Sequence, residues 1–166
     1  MNNTDNTEIL YKEIELIQSC INRMAQNSFM VKGWLITLLS VALALLPEKV
    51  DIKLLCIIGF VIIVCFWYLD AFYLKMERLY RWKYDWVIKN RRSSNKYIFD
   101  LNPHNSEMWE HTNGNSTKKT EPCIIKVMFT KTLIPLYALL LLLVIAVFIM
   151  SYLECLHFAG CNRISV

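Results

Sequence analysis

Asp70 lies in the run FWYLDAFYLKMERLYRWKYDW (66–86), at the edge of a long apolar stretch, and Glu77 follows seven residues later on the same helical face. Carboxylates beside an apolar run need counter-groups, and Arg23, Asn27 and Lys32 precede them in the chain. If the chain folds back near Val50, positions whose numbers sum to about 100 meet at one depth. Glu77 then faces Arg23, and Asp70 faces Met30 with Asn27 one turn away. Arg78 joins this polar clasp beside Glu77. Lys32 has the right depth for Asp70 but the wrong side of the helix, so it reaches Asp70 only in another register or from a neighbouring subunit. The competing reading is that Asp70, Trp67 and Tyr68 only mark a membrane interface, where aromatic rings gather and a charge is less costly.

Other reactive side chains form no constellation. No nucleophile, histidine or metal ligand accompanies Asp70 and Glu77, so no catalytic residue and no enzymatic activity is expected. His104, His111 and Glu107 suggest zinc only by type; without cysteines or further histidines nearby, no metal and no cofactor is expected. The cysteines are scattered, and only Cys155 and Cys161 are placed to pair in an oxidising compartment, the alternative being two free thiols.

A second pattern needs no acid–base chemistry. Glu8, Lys12, Glu15, Ser19, Asn22, Gln26, Phe29, Gly33, Thr37, Ser40 and Ala44 keep a four-three spacing that lines one face of a helix. This stripe is polar at first, then small and weakly polar, with Phe29 the one interruption. Two readings stand: a face that lets helices pack closely, or a lumen in which Thr37 and Ser40 line a narrow path with Asn22 and Gln26 at its mouth.

The elements that must position these residues are read from hydropathy. The chain has 166 residues, 55% of them hydrophobic, and a mean hydropathy of +0.34. It contains three apolar stretches, 30–46, 54–74 and 133–153, each near the roughly 20 residues that cross a bilayer as a helix. An all-α membrane protein is therefore expected. The polar, acidic start MNNTDNTEIL is unlike a cleavable signal, so the first span is expected to stay.

Leu10, Ile14, Ile17, Ile21, Met24 and Ser28 repeat at helical spacing, and neither Pro nor Gly intervenes between Thr7 and Gly33. Residues 1–6 are expected to be disordered, and 7–47 to form a cytoplasmic helix running on into the first span. Residues 52–92 mirror this as a second span extended into the cytoplasm, so the two make a long antiparallel hairpin. Residues 93–131 read as an irregular, basic cytoplasmic insert, 132–154 as the third span, and 155–166 as an extracytoplasmic tail. Twelve of the eighteen Lys and Arg residues lie between 75 and 131. The positive-inside rule then places the N-terminus and this loop in the cytoplasm and the C-terminus outside. The mixture KMERLYRWKYDWVIKNRR suits a membrane anchor of snorkelling basic and aromatic side chains, or a surface for RNA, anionic lipid or a partner protein.

The runs INRMAQNSFMVKGWLITLLSVALAL and FWYLDAFYLKMERLYRWKYD resemble a group of small bacterial membrane proteins found in antiphage-defence settings. The group includes the accessory membrane protein of type VI-B CRISPR loci, which resembles a ring-forming pore, and two-helix membrane effectors of nucleotide-signalling defence systems. The likeness covers residues 9 to 90 and rests on the patterns NRMAxNSF and FWxLDAxYLxxER. It implies a homo-oligomeric pore or membrane-depolarising effector in the bacterial inner membrane, answering to a defence partner protein or guide complex. It places weight on Asn22, Arg23, Asn27, Ser28, Lys32, Trp34, Asp70, Glu77 and Arg78. A ribonuclease-like motif described for some members, Arg followed four to six residues later by His, is not matched here, since Arg92 and His104 lie too far apart; nuclease activity is not carried over.

Overall fold

The computed structural model describes residues 3–44, 52–91, 93–108 and 120–161, with side chains given from 7 to 153 of these. The described residues are helical, without strands. They form α1 (Asn3–Ala44), α2 (Ile52–Asn90), a short α3 (Ile124–Met128) and α4 (Ile134–Cys161), with one 3-10 turn at Ser106–Met108. Three helices are long and apolar enough to cross a membrane: Thr7–Ala44, Ile52–Asn90 and Ile134–Leu153. The chain divides into two compact units, one of Met1–Phe29 with Ala71–Val127, the other of Met30–Asp70 with Met128–Val166.

Helix α1 starts at Asn3, four residues before the start expected at 7, with no Pro or Gly between them to break it. Helix α2 ends at Asn90, where the Asn90 side chain donates to the Trp86 carbonyl and the backbone N–H groups of Ser93 and Ser94 turn back onto the Asn90 carbonyl. In α4, Pro135 sits in the first turn, where its missing N–H would have no helical partner. The helix continues to Cys161, so the expected tail from 155 is helical for most of its length. The Cys155–Cys161 pairing, His111 and the turn at 47–51 lie outside what is described.

In the first unit, Ile17, Ile21, Trp86, Val87 and Met108 form a buried core, flanked by Leu10, Ile14, Tyr80, Tyr84, Tyr97 and Leu101. Met76 and Leu79 make a second cluster with Met24 and Trp82. Between the two segments, Gln18 donates to the Tyr84 hydroxyl and Arg91 bonds Glu13. The apolar stripe read from spacing is the buried one. In the second unit the buried positions are fewer: Val31, Leu35, Cys56, Ile63, Leu133 and Tyr137.

Candidate functional site

The second unit holds a carboxylate with no access to solvent. Asp70 is fully buried, and the Lys32 ammonium lies 2.8 Å from its Oδ1 and 2.7 Å from its Oδ2. The Tyr137 hydroxyl donates to Oδ2 at 3.0 Å and lies 3.3 Å from the Phe66 carbonyl. Trp67 stacks on the Tyr137 ring at 5.6 Å and 8°, and its indole N–H donates to the Met128 carbonyl at 3.0 Å. Three apolar helices are thereby tied at one point by a charge pair and a phenol. Each oxygen of Asp70 is bonded, which is what makes burying the charge tolerable.

This arrangement corrects the clasp expected from sequence. Asp70 takes Lys32 of its own chain and not the Met30 position; Met30 is exposed. Its register sum is two larger than assumed, and two residues on a helix amount to a rotation of about 200°. Arg23 and Glu77 do not meet among the described residues. Glu77 is held by Arg81, one turn on, at 2.7 to 2.8 Å, and the Arg23 guanidinium lies 3.5 Å from Cys20 Sγ. Asn27 and Arg78 are half-buried in the first unit, and Ser28 is buried there. Tyr137 gave no sequence signal, because α4 is apolar on every face.

The second feature is the long stripe on α1. In the first unit Glu8, Lys12, Glu15, Ser19, Asn22, Gln26 and Phe29 are all exposed; in the second, Gly33, Thr37, Ser40 and Ala44 are too. Among the described residues none of these positions is buried, although Asn22 and Ser40 also border grooves of their own units. Phe29 is 77% exposed in the first unit, and Trp34 60% in the second. The Thr37 and Ser40 hydroxyls donate to the carbonyls of Gly33 and Ile36, at 3.0 and 2.8 Å. Their hydrogen bonding is thus satisfied within the helix whether the face meets lipid, water or another protein.

Sequence reasoning missed the polar ties that order the first unit. The Arg91 guanidinium uses all five of its N–H donors. It grips buried Glu13 in a two-point pair at 2.6 and 2.5 Å and donates to the carbonyls of Ser94, Lys96 and Tyr97. It also lies over the Trp86 ring at 5.7 Å. Tyr97 and Phe99 are both held at positive φ, 57° and 56°, a strained state for bulky residues that the surrounding bonds impose. Buried Lys83 donates to the Asn102 carbonyl at 2.9 Å and faces Asp100 at 3.5 Å. Burial pushes the Lys83 ammonium below the usual lysine range, against the pull of Asp100. Burial acts to raise Asp100, but bonds from Asn105, the Asn102 N–H and Lys83 outweigh it and hold the carboxyl low. The one available signal was Glu13 itself, a carboxylate four residues before Ile17 on the buried stripe. Residues 93–108, within the expected irregular insert, are thereby a strap clamped by Arg91 and Lys83.

Nearby, Glu121 accepts from Lys75 at 2.6 Å and lies 3.2 Å from His104 Nδ1. The Lys75 bond, helped by His104, holds the Glu121 carboxyl below its ordinary value. Among the described residues, no three His, Cys, Asp or Glu side chains gather as metal ligands. What the arrangement offers is a fixed polar tie inside an apolar unit, an uncovered helix face and a rigid polar module. No protein-family model, curated protein or solved structure matches this chain, and its function has to be argued from this geometry.

Proposed function

We propose that this chain is a non-enzymatic integral membrane protein whose copies associate through the uncovered face of α1 into a ring that permeabilises or depolarises the membrane. In this reading α1 and α2 form a hairpin that crosses the inner membrane and extends into the cytoplasm, and α4 crosses once more. The N-terminus and residues 75–131 are cytoplasmic, and the C-terminus is extracytoplasmic. Membrane insertion is supported by apolar exposure that water would not tolerate: Leu139, Leu142 and Met150 are each more than 60% exposed.

The observation that carries the assembly is the α1 stripe, which is exposed at every position. A lipid-facing helix gains nothing from Gly33, Thr37, Ser40 and Ala44 along one line, whereas a helix facing other copies gains close approach. Around an axis, Thr37 and Ser40 line the path, Asn22 and Gln26 its cytoplasmic mouth, and the Phe29 ring a hydrophobic constriction of the kind that gates by dewetting. The buried Lys32–Asp70–Tyr137 tie fixes the angle at which α1 is presented. The resemblance to antiphage-defence membrane proteins supplies the setting, in which a defence partner or guide complex triggers opening. In liposomes, Thr37→Leu and Ser40→Leu together should abolish ion flux while the oligomer persists; undiminished flux would make the stripe a packing face.

A second reading is favoured by the order of the first unit. Its clamped strap and a groove of about 560 Å³ lined by Gln18, Asn22, Arg81, Tyr84 and Asp85 would suit an adaptor that binds RNA, anionic lipid or a partner protein. Under that reading the double substitution leaves activity intact, and Arg81→Glu with Tyr84→Ala removes partner binding.

A further inference from the structure

The outer halves of the three apolar helices do not close on one another. Between them lies an apolar groove of about 180 Å³, with Leu39 and Leu43 of α1, Cys56 and Gly59 of α2, and Leu140 and Val144 of α4 among its lining. An apolar cavity near this size admits a small hydrocarbon: an engineered cavity of about 150 Å³ takes up benzene. Gly59 keeps the floor low. A Cβ built there meets only the Val144 methyl, at 4.0 Å. A second apolar groove, lined by Cys56, Phe60, Val144 and Phe148, flanks the same contact from the other side. Only 6% of the α4 apolar window is buried within the chain, although it is the most apolar of the three. Helix α4 is therefore pinned at its start, by buried Leu133 and Tyr137, and loosely seated beyond.

We infer that the groove between α1, α2 and α4 is a seat for one acyl chain of a membrane phospholipid, which completes the packing of α4. The occupant follows from depth and rests on the membrane insertion proposed above: every lining residue lies inside the three apolar segments, which that reading surrounds with hydrocarbon. In water such a groove stays dry; in a bilayer, filling it removes no water from the ligand and recovers the dispersion contacts that an empty groove forfeits. A free polar metabolite finds nothing here, since the Ser40 hydroxyl at the rim is already bonded to the Ile36 carbonyl.

The test uses the full chain in liposomes containing a phospholipid with a photoactivatable diazirine in mid acyl chain. Adducts are mapped by peptide mass spectrometry. Simple lipid contact gives adducts in proportion to exposure, so Leu139 and Leu142, both above 60% exposed, would far exceed Cys56 at 9%. A seated chain predicts adducts at Cys56 and Val144 that equal or exceed those two. Gly59→Phe, which puts a ring into the groove, should cut the Cys56 and Val144 adducts about tenfold by occupying the contact volume, leaving Leu139 and Leu142 unchanged. If circular dichroism shows that Gly59→Phe fails to fold, Val144→Phe fills the same groove from α4 and gives the same readout. Adducts that track exposure, or that survive the filling variant, overturn the inference. So does a Cys56–Cys56 disulfide between copies, formed when an added mild oxidant takes the two electrons of the paired thiols, which would assign the groove to a second copy.

Discussion

At the scale of single residues, the account rests on whether buried charges are paired. Removing one partner of such a pair leaves the other desolvated and typically costs about 3–5 kcal/mol, whereas removing both together costs much less. Lys32→Met alone, which strands the fully buried Asp70 carboxylate, should therefore destabilise the protein strongly, and the Lys32→Met, Asp70→Asn double variant should recover part of the loss. A double-mutant cycle of unfolding free energies in detergent checks this; strictly additive losses would mean the two groups do not interact. Tyr137→Phe removes one bond to a charged group and should cost about 1.5–3 kcal/mol in the same assay. In the first unit, Arg91→Met should free residues 94–102, seen as lost hydrogen-exchange protection there and at Glu13. The Glu121 tie adds a pH dependence. Its folded-state value is depressed, so its stabilisation is complete above the ordinary value of 4.5 and is lost as pH falls through the lowered one. Protection of 100–108 and 120–127, corrected for intrinsic exchange, should thus fall below pH 4.5 in the wild type and change less in Glu121→Gln. Because Glu121 is 39% exposed, the effect should stay under about 1 kcal/mol.

At the scale of elements, the long helices were legible because periodicity and hydropathy are local. The Leu10 to Ser28 stripe marked the face that packs, and the complementary stripe from Glu8 to Ala44 marked the one left open. What was not legible depended on register and on α4. The assumed register sum was two residues short, so Lys32 was expected to reach Asp70 only in another register or from a neighbouring subunit, and the first of these is what is found. Tyr137 stands in a helix with no polar face to orient it. Arg91 was one basic residue among many, and only its five bonds distinguish it from a snorkelling anchor. The uncovered α1 face makes a sharp prediction at this scale. Thr37→Leu and Ser40→Leu remove only hydroxyl bonds within α1, to the Gly33 and Ile36 carbonyls, and Ser40→Leu adds volume at the rim of the apolar groove, so each should change monomer stability by less than about 1 kcal/mol. Their effect should fall on flux alone. If either variant unfolds the protein, the face has an intramolecular role that the single chain does not display.

At the scale of the whole molecule, the described residues supply three long apolar helices, tied by Lys32, Asp70 and Tyr137, and a clamped polar module, but no enclosed polar path among them. Asn22, Gln26, Thr37 and Ser40 line a path only when several copies of α1 face a common axis, so the proposed activity is a property of the assembly. That makes the central claim one of architecture. The most direct measurement is a cryo-electron microscopy projection average of the full chain in mild detergent. The account predicts a ring with a central hole and α1 innermost, in a particle whose mass is a whole multiple of 19.6 kDa. A compact particle of a single chain, or a ring with α1 turned outward to the detergent, would contradict it.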